Sequence, residues 1–178
     1  MTTAEPLLPQ FPGRTRTLSR CWRASDSGNL EELTEAHKAG SPWDARTCKN
    51  AAREGHLDTL RFAHENGCPW DVKTCECAAT NGHLEVLQYA RENGCPWDET
   101  TCAAAAKCGH LKVLKWAITN GAPVGVMTCA FAAYSGHLNI LKWARANGCP
   151  WDKKMLQYAR MNDQKEVVQW AKANGCPE

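Results

Sequence analysis

The sequence predicts an all-α solenoid of six short helix–turn–helix units, each stacked on the next. Three observations carry that expectation. Trp43, Trp70, Trp97 and Trp151 recur at a step of 27 residues, with Val124 on the missing rung. Pro42, Pro69, Pro96, Pro123, Pro150 and Pro177 share the step, as do Gly40, Gly67, Gly94, Gly121, Gly148 and Gly175. A second glycine ladder runs through Gly28, Gly55, Gly82, Gly109 and Gly136. Chance does not align several residue types on one period, and no alternating strand pattern competes with it.

The unit reads C-P-W-D-x-x-T-C-x-x-A-A-x-x-G-H-L-x-x-L-x-x-A-x-x-N-G. Units span 14–40, 41–67, 68–94, 95–121, 122–148 and 149–175, with a stub at 176–178. The repeat domain is therefore 14–178. Residues 1–13 contain Pro6, Pro9 and Pro12 and read as a flexible tail, with Leu7, Leu8 and Phe11 as a possible short docking motif within it. The first and last units diverge most, as expected of capping repeats that lack a neighbour on one side.

Each unit carries two helical signals. The Asp column (Asp44, Asp71, Asp98, Asp152) follows a rigid Pro-Trp pair and suits an N-cap, with the Thr column three places on (Thr47, Thr74, Thr101, Thr128) as the competing cap. An Ala-rich segment then ends at Gly, a left-handed C-terminal cap. A second helix places apolar residues at spacing 0, 3, 6, as in Leu84, Leu87 and Ala90, and ends at Asn-Gly. Arg91, Arg145 and Lys172 lie near that end, where a cation complements the helix dipole. Neither helix is long enough to persist alone in water, so each must bury a face against the next unit.

Residues repeating down the ladder read as packing. The aromatic column Phe62, Tyr89, Trp116, Trp143 and Trp170, with Glu35 in the first unit, fits inter-repeat contact better than a ligand cage. The loop Trp column is expected to pin each loop to its neighbours. Most of the eleven Cys fall in two columns, where Ser41, Ala122 and Leu156 substitute for them. That pattern marks small buried positions. The one close pair, Cys75-x-Cys77, is a poor zinc spacing. The His column (His56, His83, His110, His137) is flanked by Asn29 and Gln164, which makes a polar bridge to loop backbone the better account than a metal site. His37 and His64 lie off that column and are expected to be exposed.

At Ala78-Ala79-Thr80-Asn81-Gly82-His83-Leu84-Glu85-Val86-Leu87, and again at Ala105-Ala106-Lys107-Cys108-Gly109-His110-Leu111-Lys112-Val113-Leu114, the chain resembles the helical half of an ankyrin repeat. The family's units run about 33 residues and include a β-turn finger. Here the missing residues fall between the second helix and the next first helix, so the resemblance implies ankyrin-like repeats without the finger. The unit looks like the short C-P-W-D type found in multi-copy protist and large-virus proteins. The resemblance implies a non-catalytic module that binds proteins through a concave face.

Composition sets further bounds. The chain is 43% hydrophobic and 22% charged at a net +2, which suits a packed core and gives no overall field for nucleic acid. No apolar stretch approaches the roughly 18 to 20 residues of a membrane span. Phosphate-loop, nucleophile-elbow, zinc-protease and EF-hand patterns are absent, so no enzyme, no cofactor and no small-molecule substrate is expected. The odd cysteine count and the lack of a signal peptide favour a reducing compartment, cytoplasmic or nuclear, over organelle import.

Specificity can reside only where units differ. The ninth and thirteenth positions of the unit lie four apart, on one face of the first helix. They supply Lys49, Arg53, Glu76, Lys107, Tyr134 and Met161, with Phe131 and Tyr158 at the tenth position either joining the apolar end or buried between units. The expected function is a protein-interaction module or scaffold subunit; the competing reading is a cysteine-based metal or redox sensor.

Overall fold

The computed structural model describes residues 19–177. The expected tail at 1–13, its Leu7/Leu8/Phe11 motif and the opening of the first unit lie outside the described residues. Among those described there are twelve helices and no strand. They form six pairs: α1 (Arg20–Ser27) with α2 (Leu30–Lys38), α3 (Ala45–Glu54) with α4 (Leu57–Glu65), α5 (Val72–Asn81) with α6 (Leu84–Glu92), α7 (Glu99–Lys107) with α8 (Leu111–Thr119), α9 (Val126–Tyr134) with α10 (Leu138–Ala146), and α11 (Lys153–Met161) with α12 (Lys165–Ala173). Two or three residues join the helices of a pair, and six join one pair to the next. No finger fits in six residues that already contain Pro-Trp and a cap.

The Asp column wins the cap. Asp44, Asp71, Asp98 and Asp152 each accept the N–H two residues ahead at 2.9 Å. This satisfies one of the amides that a helix start leaves without a partner. Thr47, Thr74, Thr101 and Thr128 are instead fully buried in the first turn. The fifth unit departs: Gly125 stands at the N-cap of α9 with no side-chain bond.

Imidazoles begin the second helices but do not cap them. Their Nε2 atoms reach back to the preceding pair, to the carbonyls of Asp26, Arg53, Thr80 and Lys107, at 3.0–3.3 Å. A carbonyl only accepts, so Nε2 carries the proton. The polar bridge therefore runs to the last turn of the previous first helix rather than to a loop. Each ring also lies against a glycine in the left-handed region: at Gly28, Gly55 and Gly82, a Cβ would come within 2.6 Å of the next unit's Nδ1. The last rung differs, because Asp163 occupies the glycine place at φ 50.

The core runs unbroken along the stack. Leu33, Leu60, Leu87, Leu114 and Leu141 are fully buried, as are the alanine pairs 51/52, 78/79, 105/106 and 132/133. Small residues let the first helices approach closely, and these pack on one another more extensively than the second helices do. The array consequently curves with the first helices on the inside.

Both cysteine columns are buried and every thiol is free. The loop thiols of Cys68 and Cys95 donate to the carbonyls of Asp44 and Asp71 one unit earlier, at 3.3 and 3.4 Å. Loop tryptophans are half-buried, and the structure corrects the reading of His37 and His64. These rings are not exposed but stack on Trp43 and Trp70, at centroid distances of 3.8 and 3.6 Å. In later units Arg91 and Arg145 take the same seat, over Trp97 at 4.2 Å and Trp151 at 4.1 Å. They also donate to the Cys95 and Cys149 carbonyls, so they clamp the loop as well as complement the dipole. The aromatic column of the second helices packs against the same core, each loop indole meeting it edge to face, as in Trp97 on Trp116 at 5.9 Å.

Candidate interaction surface

The exposed edge of the first-helix row holds the residues that vary between units. At its N-terminal end Lys49 and Arg53 are half-buried on α3. Arg53 does not present a bare cation, because it is paired with Asp26 of the preceding unit and with Glu54. The charge of Arg53 is therefore largely neutralised. On α5, Glu76 accepts from Lys73 Nζ at 2.5 Å and from Thr100 Oγ1 at 3.3 Å. That hydrogen bond raises the Lys73 ammonium above its ordinary range.

The middle of the ninth-position stripe is not surface at all: Ala103 and Ala130 are buried. The small side chains of Ala103 and its neighbour Ala104 line a cleft of about 370 Å³ spanning α5, α7 and α9. Glu76 on α5, Glu99, Thr100 and Lys107 on α7, and Met127 and Phe131 on α9 line it. Glu99, Thr100 and Met127 come from the fifth and sixth positions of the unit, which also vary and lie one turn before the ninth and tenth. That spacing is the signal that a reading restricted to two columns missed.

Beyond the cleft the C-terminal end is aromatic. Phe131 and Tyr158 are half-buried and meet edge to face at 5.9 Å, and Tyr134 meets Tyr158 at 6.2 Å. Lys107 Nζ lies 5.6 Å from the Phe131 ring centre. Tyr134 is 36% exposed and Met161 is 74% exposed. Both alternatives for the tenth position are thus partly true, since these rings pack between units and still show an edge to solvent. One continuous patch joins Lys107, Phe131, Tyr134 and Tyr158, with Met161 on the thirteenth position of the following unit; Lys49 and Arg53 stand apart from it.

The thiols have no comparable site. Among the described residues no group of three or more Cys, His, Asp or Glu is placed to hold a metal ion. Burial pushes the Cys102 and Cys129 thiols up to about 12. The neighbouring sulfur of Cys68, and then burial, drives Cys48 up as well. Among the described residues no helix is long and apolar enough to cross a membrane.

A curved stack of antiparallel helix pairs with the short first helices on the inside defines a repeat solenoid. The family model described as ankyrin repeats (many copies) matches residues 48–91 and 75–118. The chain resembles ankyrin repeats over residues 48–118. It is similar in fold to the crystal structure of the human ASB11 ankyrin repeat domain, with a TM-score of 0.72 and 17% identity over 89% of this chain and 84% of that one. No curated protein sequence matches it. Ankyrin repeats are generally protein–protein interaction modules, and the family is typically non-enzymatic.

Proposed function

We propose that the chain is a non-catalytic interaction module or scaffold subunit that grips a protein partner on its inner, first-helix face. The observation that carries this reading is Met161 and Tyr134, large apolar side chains held out to solvent beside the Phe131–Tyr158 pair and the cleft. Exposed aromatic and Met residues grouped on a rigid support are the composition of binding hot spots. Glu76 of α5 and Lys107 of α7, both in the lining of the cleft, supply opposite charges to whatever enters.

A Tyr134→Asp/Met161→Asp variant tests the proposal. Affinity capture with mass spectrometry should lose the partners that the wild-type chain retains, while helicity and melting temperature stay unchanged. Retention of the same partners by the variant would overturn it. Thiol counting tests the metal or redox alternative. Buried thiols that resist labelling in the folded chain support packing, and bound zinc in stoichiometric amount would support the alternative. We further propose a reducing compartment, cytoplasmic or nuclear, because nine of the eleven thiols serve as small core residues.

A further inference from the structure

The net charge of +2 hides a segregation. Residues 1–99 carry 11 Lys and Arg against 15 Asp and Glu, whereas residues 100–178 carry 10 against 4. The structure places this asymmetry on the outer row of second helices. On α2, α4 and α6 the exposed carboxylates are Glu31, Glu35, Asp58, Glu65, Glu85 and Glu92, against the exposed cations Lys38 and Arg61. On α8, α10 and α12 the exposed groups are Lys112, Lys115, Lys142, Lys165 and Lys172, and Glu166 is the one carboxylate.

Helix chemistry accounts for half of this pattern. Glu31, Asp58 and Glu85 lie in first turns, where the dipole favours an anion. The other half runs against it. The first turn of α8 holds Lys112 and no acid, α10 has no acid there either, and α12 opens on Lys165 with Glu166 beside it. Lys112 at the start of α8 opposes the local preference, and such local conflicts concentrate at sites of function.

We infer that the outer face of α8 and α10 docks on α6 and α4 of a second copy of this chain, forming an antiparallel two-fold dimer centred on the middle of the convex row. Both halves of the contact are present on one molecule, as an isologous interface requires. The spacing also matches. Successive outer helices are one 27-residue unit apart in both copies, so α8 meets α6 and α10 meets α4 while the ends of the convex rows splay apart. A parallel arrangement would set like charges face to face. Phe62, Trp116 and Trp143 on these helices are half-buried and supply apolar area at the seam. The inner face stays open, so the dimer presents two partner-binding surfaces pointing away from each other.

Sedimentation velocity on the full chain is the test. Wild type should shift from monomer toward dimer as concentration rises at low salt, and the dissociation constant should weaken by about tenfold or more at about 0.5 M salt, where the screening length falls to a few ångströms. Lys112→Glu/Lys142→Glu and Asp58→Lys/Glu85→Lys should each be monomeric alone. An equimolar mixture of the two should associate about as tightly as wild type, because each reversed charge then faces a reversed partner: position 112 meets 85 and position 142 meets 58. Unchanged circular dichroism controls for folding. A wild type that stays monomeric at low salt overturns the proposal, and so does dimerisation that both variants retain. Binding of heparin or anionic vesicles by a wild type that does not dimerise would assign the basic row to a polyanion instead. None of these substitutions touches the Tyr134–Met161 patch, so failure of this inference and failure of the partner-binding proposal are read separately.

Discussion

The loop at 95–98 and the loop at 122–125 do the same job with different parts. The first is Cys-Pro-Trp-Asp: its thiol donates to a carbonyl one unit back, its indole lies under Arg91, and its carboxylate caps α7. The second is Ala-Pro-Val-Gly and lacks all three contacts. Ala122 is buried where the thiol would be, Val124 packs on the core in place of the indole, and Gly125 leaves α9 without a side-chain cap. Yet α7 and α9 have the same length. The repeat geometry is thus fixed by the buried Leu and Ala columns, and the loop consensus adds stability to a fold already specified. The place ahead of each loop follows suit: where Trp becomes Val124, the residue that would cover it is Ile118 rather than His or Arg.

This comparison can be broken from several sides. The largest expected effect is alkaline. Cys102 and Cys129, which flank the depleted loop, have thiols pushed up to about 12 from an ordinary 9.0. The folded state therefore holds protons that the unfolded chain gives up. Their contribution to stability is fully present below pH about 9 and is lost as the pH climbs toward about 12. Melting curves should fall through that window, and a Cys102→Ala/Cys129→Ala variant should fall less. A core truncation comes next. Leu114→Ala and Leu87→Ala each remove a fully buried side chain and should cost about 2–5 kcal/mol in denaturant titrations. A loss below about 0.5 kcal/mol would place these residues on the surface and refute the core assignment.

Smaller effects separate the two loops directly. Trp97→Val should cost about 1–3 kcal/mol by removing a half-buried indole, and adding Arg91→Ile should recover part of it. A double-mutant cycle with no coupling would show that cation and ring act independently. Asp98→Ala should cost about 1 kcal/mol through the lost cap. Gly125→Asp should gain little alone, because its Cβ would come within 2.1 Å of Glu99 Oε2, the movable end of a side chain. Combined with Glu99→Ala it should recover about 0.5–1 kcal/mol, read as a rise in melting temperature.

Much of the fold was legible because a period exposes roles without any structure. The residues at which a column changed chemistry were informative: Ser41, Ala122 and Leu156 in place of Cys marked packing, and Asn29 and Gln164 in place of His marked hydrogen bonding. What escaped were contacts between columns. His37 and His64 belong to the column that continues as Arg91, Ile118 and Arg145, and only the stack shows that this column covers the next unit's loop ring. The Asp26–Arg53 pair escaped because the thirteenth-position column was read from Arg53 onward. Beginning it one rung earlier puts opposite charges on adjacent rungs. The cleft was invisible because alanines line it, and a small residue announces no surface.

The side chain of Asp163 governs how the rod can be lengthened. On the five rungs before it, the absence of a Cβ gives the following unit's imidazole or amide somewhere to rest. A carboxylate standing at φ 50 fills that berth. Anyone grafting another unit of this type onto the C-terminal face, or splicing two arrays into one, must first make Asp163→Gly. The reverse exchange at Gly82 would unseat His110 and create a weak joint at a chosen rung.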